Sequence, residues 1–254
     1  MSAQHESVEM YPVHRVPASR PFIWLSRGWD SLVHHRAASL AYGVIVAGLG
    51  SLILAYDRHP LYIAAAVCAF LVVGPVITAG VCELSRARDH GEDCDFQDSL
   101  QAMRRSRASL WAFAQVLLFV AVGGFCMAAL FLYASTGAIA PSLETTIWGD
   151  VLAQLSSLQL VTYSTAFLVL AGAVFLLSVV SVPMIIDRHV DAGPAMRMSL
   201  RVAARDRAAM LVWAVLILTL VGFGCGARRL GMILVLPLLG HATWYAYRDM
   251  VEEA

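Results

Sequence analysis

The feature that most constrains this chain is a series of apolar segments long enough to cross a lipid bilayer. A helix needs about 20 apolar residues to span a hydrocarbon core of about 30 Å. Charged residues make up 14% of the chain, whereas soluble proteins have about 25%. The sequence therefore predicts an all-α polytopic membrane protein with six transmembrane helices. The six segments are residues 37–56, 61–84, 110–133, 160–186, 208–227 and 230–247.

The arginines predict how these helices are oriented. The chain has no lysine, and fifteen of its eighteen arginines fall on the side of the membrane that also holds both termini. The exceptions are Arg58, Arg228 and Arg229. Because cytoplasmic loops carry an excess of basic residues, we expect both termini in the cytoplasm. The formal net charge is zero, so no bulk field favours nucleic acid as a partner.

Residues 1–20 are polar and contain prolines, which predicts a disordered cytoplasmic tail before a membrane domain at residues 21–250. Apolar residues then recur at helical spacing in three segments that also carry arginines, around residues 22–32, 96–103 and 196–203. Such segments suit helices that lie in the inner membrane interface. Asp95 and Asp191 precede the second and third helices and are predicted to cap them. A further interfacial helix is predicted outside the membrane, from about residue 142 to residue 158.

Two groups of arginines follow the apolar positions of the second and third interfacial helices. We expect them either to contact anionic lipid headgroups or only to fix the topology. These arginines are Arg104, Arg105, Arg107, Arg201, Arg205 and Arg207.

An internal repeat organises the chain. The segment "SLQAMRRSRASLWA" at 99–112 matches "SLRVAARDRAAMLV" at 199–212 in register, and a looser copy begins at residue 29. Pro75, Pro183 and Pro237 lie at similar depths in the second, fourth and sixth spans. We predict three units, at about residues 22–84, 95–186 and 191–248, each an amphipathic helix followed by a two-helix hairpin. Chance similarity between helices rich in Leu, Ala and Arg is the alternative.

The sequence shows no pattern of a known active site. It lacks the metalloprotease, nucleophile-elbow and nucleotide-binding motifs, and its five cysteines match no metal or disulfide framework. We therefore expect no enzyme activity and no cofactor. Asp187 lies beside Arg188 at the end of the fourth span, where local pairing is the alternative to a functional role.

His241 lies inside the sixth span and shares a helical face with Pro237 and Trp244. It is predicted to be a structural histidine that packs against the fourth span near Asp187, and the alternative is a haem or metal ligand. Trp244 and its neighbouring tyrosines are predicted to anchor the span in the interface.

The segments "SVPMIIDRHVDAGPAMRMSLRV" and "VLPLLGHATWYAYRD" of the C-terminal third resemble a family of bacterial inner-membrane proteins, domain of unknown function 2189. The resemblance covers about residues 20–250 and is most specific at 183–187, Asp191 and 240–244. It implies a six-helix fold in the inner membrane. Some members are labelled cytochrome c oxidase subunits, which implies a respiratory association. A catalytic oxidase subunit needs histidines from several spans, and His241 is the one histidine within a predicted span.

The function expected from these observations is an accessory, assembly or scaffold component of the membrane, linked to a respiratory oxidase. Its expected partners are membrane lipids and a membrane-protein complex. The alternative is a transporter or channel for a neutral or lipid-like molecule, because helices broken at proline are frequent in transporters.

Overall fold

The structure is a computed structural model, and it describes residues 11–55, 60–136, 156–226 and 231–251. Within these residues every regular element is a helix, apart from an isolated antiparallel bridge between Val13 and Val251. The predicted all-α class is therefore confirmed. The helices are α1 (Arg20–His34), α2 (Arg36–Ala55), α3 (Pro60–His90), α4 (Phe96–Arg105), α5 (Arg107–Thr136), α6 (Ser157–Ser178), α7 (Ser181–Arg188), α8 (Ala192–Arg205), α9 (Arg207–Gly226) and α10 (Gly231–Met250).

Four helical segments are long and apolar enough to cross a membrane. A fifth candidate is the pair formed by α1 and the first part of α2, which is bent by 104°. α10 is not among them, because His241, Arg248 and Asp249 lower the hydropathy of its second half. A sixth span therefore stays a prediction. The four segments are Cys68–His90, Arg107–Ser135, Ser157–Arg188 and Arg207–Gly224.

The fourth predicted span is broken between α6 and α7. Pro183 has no N–H group, so the carbonyl of Val179 loses the donor that would continue the helix. Ser199 of α8 lies at this break. Its hydroxyl accepts from the N–H of Val180 at 3.3 Å and donates to the carbonyl of Leu176 at 2.7 Å. Through these two bonds Ser199 links α8 to the end of α6 at the break.

Three junctions share one local geometry. At each of them an amphipathic helix ends, one residue interrupts the helix, and an apolar helix begins with an arginine. The N–H of the interrupting residue donates to the carbonyl four residues earlier, and its own carbonyl accepts from the N–H four residues later, all at 2.9 to 3.2 Å. The interrupting residues are His35, Ser106 and Asp206, and the arginines are Arg36, Arg107 and Arg207.

The two predicted helix caps have different outcomes. Asp95 accepts from the N–H of Asp98 at 2.9 Å, and the carboxylate of Asp98 accepts from the N–H of Asp95 at 3.1 Å, so this cap is confirmed. Asp191 occupies the capping position of α8, but its side chain makes no capping bond. The third residue of α8 is Pro194, which has no N–H to offer. The predicted cap at Asp191 is therefore wrong.

The amphipathic helices bury most of their apolar residues against protein rather than lipid. On α8, Met196 and Ala203 are buried in the core. On α4, Phe96 packs against Tyr42 of α2, with their ring centroids 4.9 Å apart. α1 keeps large apolar side chains exposed beside its buried face, among them Phe22 at 58%, and α8 keeps Leu200 exposed at 44%. The prediction that all three faces lie in the lipid interface is therefore wrong for α4 and for Met196 and Ala203 of α8, whereas Leu200 of α8 remains free to contact lipid.

The segment before α1 lies against the C-terminal end of the chain. The N–H of His14 donates to the carbonyl of Met250 at 3.0 Å, and Tyr11, Val13 and Val16 pack against the core. The described part of the predicted disordered tail is therefore docked, because its apolar residues are covered there. Residues 1–10, and residues 142–155 of the predicted external helix, lie outside the described residues, and its last two residues, 157 and 158, begin α6.

Candidate functional site

The candidate site is a set of polar side chains on α10 and the residues that bond to them, which we call the C-terminal polar network. α10 is packed by α1, α2, α3 and α9 and buries most of its length. Its own members are His241, Trp244, Tyr245, Tyr247 and Asp249. Because the helix is enclosed, these groups must find their hydrogen-bond partners on neighbouring helices.

The backbone of α2 lies directly against α10. Pro237 cannot donate to the carbonyl of Ile233, so that oxygen loses its partner within the helix. A Cβ added to Gly43 of α2 would overlap this carbonyl oxygen, so glycine is required for the approach. A Cβ on Gly240 would likewise lie 2.9 Å from the Cβ of Val81 on α3. Proline and glycine thus bring both neighbouring helices within reach of His241.

His241 has no exposed surface and bridges two helices. Its Nε2 lies 2.8 Å from the hydroxyl oxygen of Ser39 on α2, and its Nδ1 lies 2.6 Å from that of Ser85 on α3. A neutral imidazole can donate from one nitrogen and accept at the other, which suits two hydroxyl partners. Ser39 belongs to the first predicted unit, and Ser85 follows directly after its predicted end. The predicted packing of His241 against the fourth span near Asp187 is therefore wrong.

Trp244 and Tyr245 join α10 to the end of α3 and to α1. The indole N–H of Trp244 donates to the carboxylate of Asp89 at 2.8 Å. The hydroxyl of Tyr245 lies 2.7 Å from that of Ser31, which also accepts from Arg88 at 2.9 Å. Trp244 has no exposed surface and Tyr245 is 3% exposed, so their predicted role as interface anchors is wrong.

Asp249 holds the start of α1. Its carboxylate accepts from the Nε of Arg20 at 2.6 Å and from the indole N–H of Trp24 at 2.7 Å. A second arginine, Arg27, lies 3.8 Å from the same carboxylate and stacks over the ring of Tyr245. α1 is therefore fixed to α10 by charge as well as by apolar contact.

Asp187 is paired, as the local alternative for it predicts. Its carboxylate accepts from the hydroxyl of Tyr247 at 2.7 Å and from the Nε of Arg188 at 3.1 Å. Tyr247, and not His241, is therefore the residue of α10 that reaches the fourth predicted span. Pro183, one turn earlier on α7, is buried and causes the break described above.

His35 lies between α1 and α2 and has a ring nitrogen that lacks a hydrogen-bond partner. Its Nε2 is buried, and no described group forms a hydrogen bond with it. Burial, followed by the nearby charges of His34 and Arg88, lowers the pKa of His35, while Asp93 opposes the shift. His35 therefore favours the neutral form where α1 bends into α2.

The remaining predicted residues lie away from this network. Pro75 lies within the continuous helix α3, where its carbonyl accepts from the hydroxyl of Thr78 at 2.6 Å. The six arginines predicted to contact lipid headgroups are all exposed. In the described part of the chain, no three His, Cys, Asp or Glu side chains are grouped to hold a metal ion.

Sequence reasoning missed Ser31, Ser39, Ser85 and Asp89, which bond directly to α10. The available signal was weak. Ser31 and Asp89 lie near the ends of α1 and α3, and serine is a common small residue wherever helices pack closely. Their pairing with residues 155 to 214 positions away in the sequence is visible only in the structure.

The comparison with known protein families agrees with this picture of a membrane protein. No curated protein and no solved structure matches the chain. Residues 63–187 match the family described as predicted integral membrane protein (DUF2189). This range runs from α3 to Asp187 and contains Pro75 and Pro183. Over these residues the chain is similar to this family of predicted integral membrane proteins, as the resemblance of its sequence implies.

Proposed function

We propose that the chain is an accessory or scaffold component of a bacterial inner membrane, without a reaction of its own. The observation that supports this proposal is that the hydrogen bonds of the C-terminal polar network connect α10 to other helices. His241, Trp244, Tyr247 and Asp249 each bond to a side chain of a different helix. Polar groups inside a membrane protein otherwise indicate a substrate or ion pathway. Here they hold helices together.

The proposal includes six spans with both termini in the cytoplasm. The arginine asymmetry supports the orientation, and α10 becomes the sixth span because the other helices shield its polar side chains from lipid. The similar junctions at His35, Ser106 and Asp206 support three units of one amphipathic helix and one hairpin. On this arrangement the exposed arginines lie at the level of the lipid headgroups.

Cysteine labelling tests the orientation. Single cysteines at residues 20, 145 and 252 of a cysteine-free protein are exposed to a membrane-impermeant maleimide in intact cells. We expect labelling at residue 145 alone, and labelling of all three after the cells are opened. External labelling at residue 20 would reverse the orientation.

Purification in a mild detergent tests the function. We expect a membrane-protein complex to be retained on the tagged chain, identified by mass spectrometry, and we propose a respiratory oxidase as that complex. The purified chain alone should show no Soret absorption band. Uptake of a solute by proteoliposomes that contain the chain alone would contradict the proposal and favour a transporter.

A further inference from the structure

The outer helix α5 carries a polar side chain on a face that meets lipid. Gln115 is exposed and lies eight residues after Arg107, or about 12 Å further along the helix at 1.5 Å per residue. The opposite face packs into the protein, where Phe113 and Leu117 have no exposed surface. The amide of Gln115 is therefore directed away from its own bundle, into the apolar layer of the membrane.

Gln115 belongs to a continuous stripe on that face, which we call the α5 outer stripe. Its members follow the spacing i, i+4, i+8, i+11 and i+15, so they share one side of the helix. Trp111 is 67% exposed, Phe119 is 82% exposed and Val122 is 48% exposed. The members of the stripe are Trp111, Gln115, Phe119, Val122 and Cys126.

Helix α9 provides an internal comparison. It also begins with an arginine after an interrupting residue, and it exposes Leu211 at 67% and Val215 at 53% where α5 has Trp111 and Gln115. These two residues are apolar, as lipid contact requires. Thr219, an exposed residue one turn further along α9, donates to the carbonyl of Val215 at 2.8 Å and is satisfied within its own helix. Gln115 is thus a polar residue at a position where the equivalent face of α9 has an apolar one.

We propose that the α5 outer stripe is the interface at which two copies of this chain associate in the membrane. A primary amide left in hydrocarbon without a partner is unfavourable, and hydrogen bonds between polar side chains of neighbouring helices promote their association. The amide of Gln115 contains both a donor and an acceptor. Two copies inserted in the same direction present it at the same depth. A two-fold axis along the membrane normal then pairs the Gln115 amide of one copy with that of the other, with donor facing acceptor in both directions.

The other members of the stripe suit the same interface. Trp111 and Phe119 lie one turn to either side of Gln115 and exclude lipid from the paired amides. Val122 and Cys126 continue the contact with smaller side chains, which allow the two helices to approach. On the same two-fold axis, Cys126 of one copy lies at the depth of Cys126 of the other.

Cross-linking in native membranes tests the interface. The full chain is expressed with Cys126 as its single cysteine and is treated with a mild oxidant. We expect a disulfide-linked dimer. The matched control carries the substitution Gly222→Cys in a cysteine-free chain, because Gly222 is exposed on α9 and a Cβ there meets no described atom within 4 Å. We expect that control to stay monomeric.

The role of the amide is tested with Gln115→Val, which reproduces the Val215 of α9, and with Gln115→Asn, which keeps a primary amide. Loss of the reciprocal hydrogen bonds should weaken dimerisation roughly tenfold, whereas Gln115→Asn should restore much of it. Because Gln115 lies outside the core, neither substitution should lower the thermal stability of the monomer. Co-purification of two differently tagged copies measures the association.

Two results would overturn the proposal. One is cross-linking at Cys126 that does not exceed that of the Gly222→Cys control. The other is an unchanged dimer fraction in the Gln115→Val variant. Either result would assign the stripe to lipid or to a different protein.

Discussion

Substitution of His241 tests whether the C-terminal polar network holds the helices together. In His241→Ala both hydroxyl partners, Ser39 and Ser85, lose the imidazole nitrogens that lie 2.8 and 2.6 Å away. The substitution also empties the space of a ring that has no exposed surface. His241→Gln keeps one donor and one acceptor on a side chain of comparable length.

The magnitude follows from these two losses. Two interhelical hydrogen bonds contribute together about 1–3 kcal/mol in a membrane protein. The cavity left by the ring adds about 1–2 kcal/mol. We therefore expect His241→Ala to lower the free energy of unfolding by about 2–5 kcal/mol, and His241→Gln by about 1 kcal/mol.

The assay is thermal unfolding of the purified full chain in detergent, followed by tryptophan fluorescence. For a chain of this size 1 kcal/mol corresponds to a shift of about 2–4 °C in Tm, so His241→Ala should lower Tm by roughly 4–20 °C. Thr243→Ala is the control on the same helix, because the Thr243 hydroxyl donates only to the Leu239 carbonyl of its own helix, at 2.7 Å. We expect that control to change Tm little.

A double-mutant cycle decides whether the hydrogen bonds or the packing carry the effect. Ser85→Ala is made in the wild-type chain and in His241→Ala. If the bond is formed, the two substitutions should couple by about 0.5–3 kcal/mol. Additive effects would show that His241 stabilises the bundle by filling space alone, and the reasoning from its two serine partners would fail.

Three further predictions concern the same bundle. Gly43→Ala should destabilise the chain strongly, because its Cβ would overlap the Ile233 carbonyl, whereas Gly222→Ala meets no described atom within 4 Å and should be neutral or stabilising in the same melting assay. The lowered pKa of His35 keeps its imidazole neutral in the folded protein, whereas the same imidazole in the unfolded chain takes up a proton below a pH of about 6.5. The free energy of unfolding should therefore fall as the pH is lowered from about 7.5 to about 5.5. In the His35→Gln variant it should fall less over the same range. Asp249→Asn should increase hydrogen exchange in α1, because the carboxylate holds Arg20 and Trp24, whereas Asp30→Asn at an exposed position of α1 should not.

Much of the helical framework could be predicted from local sequence. Runs of apolar residues placed the long helices, and the break before Pro183 follows from a missing N–H group that the sequence displays. The cap at Asp95 was likewise predictable from its position before an amphipathic segment. The same rule failed at Asp191, because a proline three residues later removes the N–H that a capping carboxylate would accept from. Local rules thus succeed where both partners lie within one turn of the chain.

The candidate site could be predicted only in part, because its partners are distant in the sequence. The position of His241 on its helix predicts a structural residue, but its partner Ser39 lies 202 residues away from it. Nothing in the periodicity of the two helices selects that serine over others. The sequence predicts Trp244 in the membrane interface, where aromatic residues are frequent, whereas burial of α10 by four helices gives it a partner, Asp89, inside the bundle.

The position of α10 accounts for both the failed and the successful predictions. Hydropathy treats each helix as if it faced lipid on all sides, so it excludes a helix with His241, Arg248 and Asp249 in its second half from the candidate spans. In the structure α10 is the helix that the others surround, and its polar residues meet protein. The outer helices α5 and α9 then make the contact with lipid. A single exposed amide on α5 is therefore informative, whereas an amide within α10 would find a hydrogen-bond partner among the surrounding helices. For this chain the meaning of a polar residue depends on which helices enclose it, and that is decided by contacts between the two ends of the sequence.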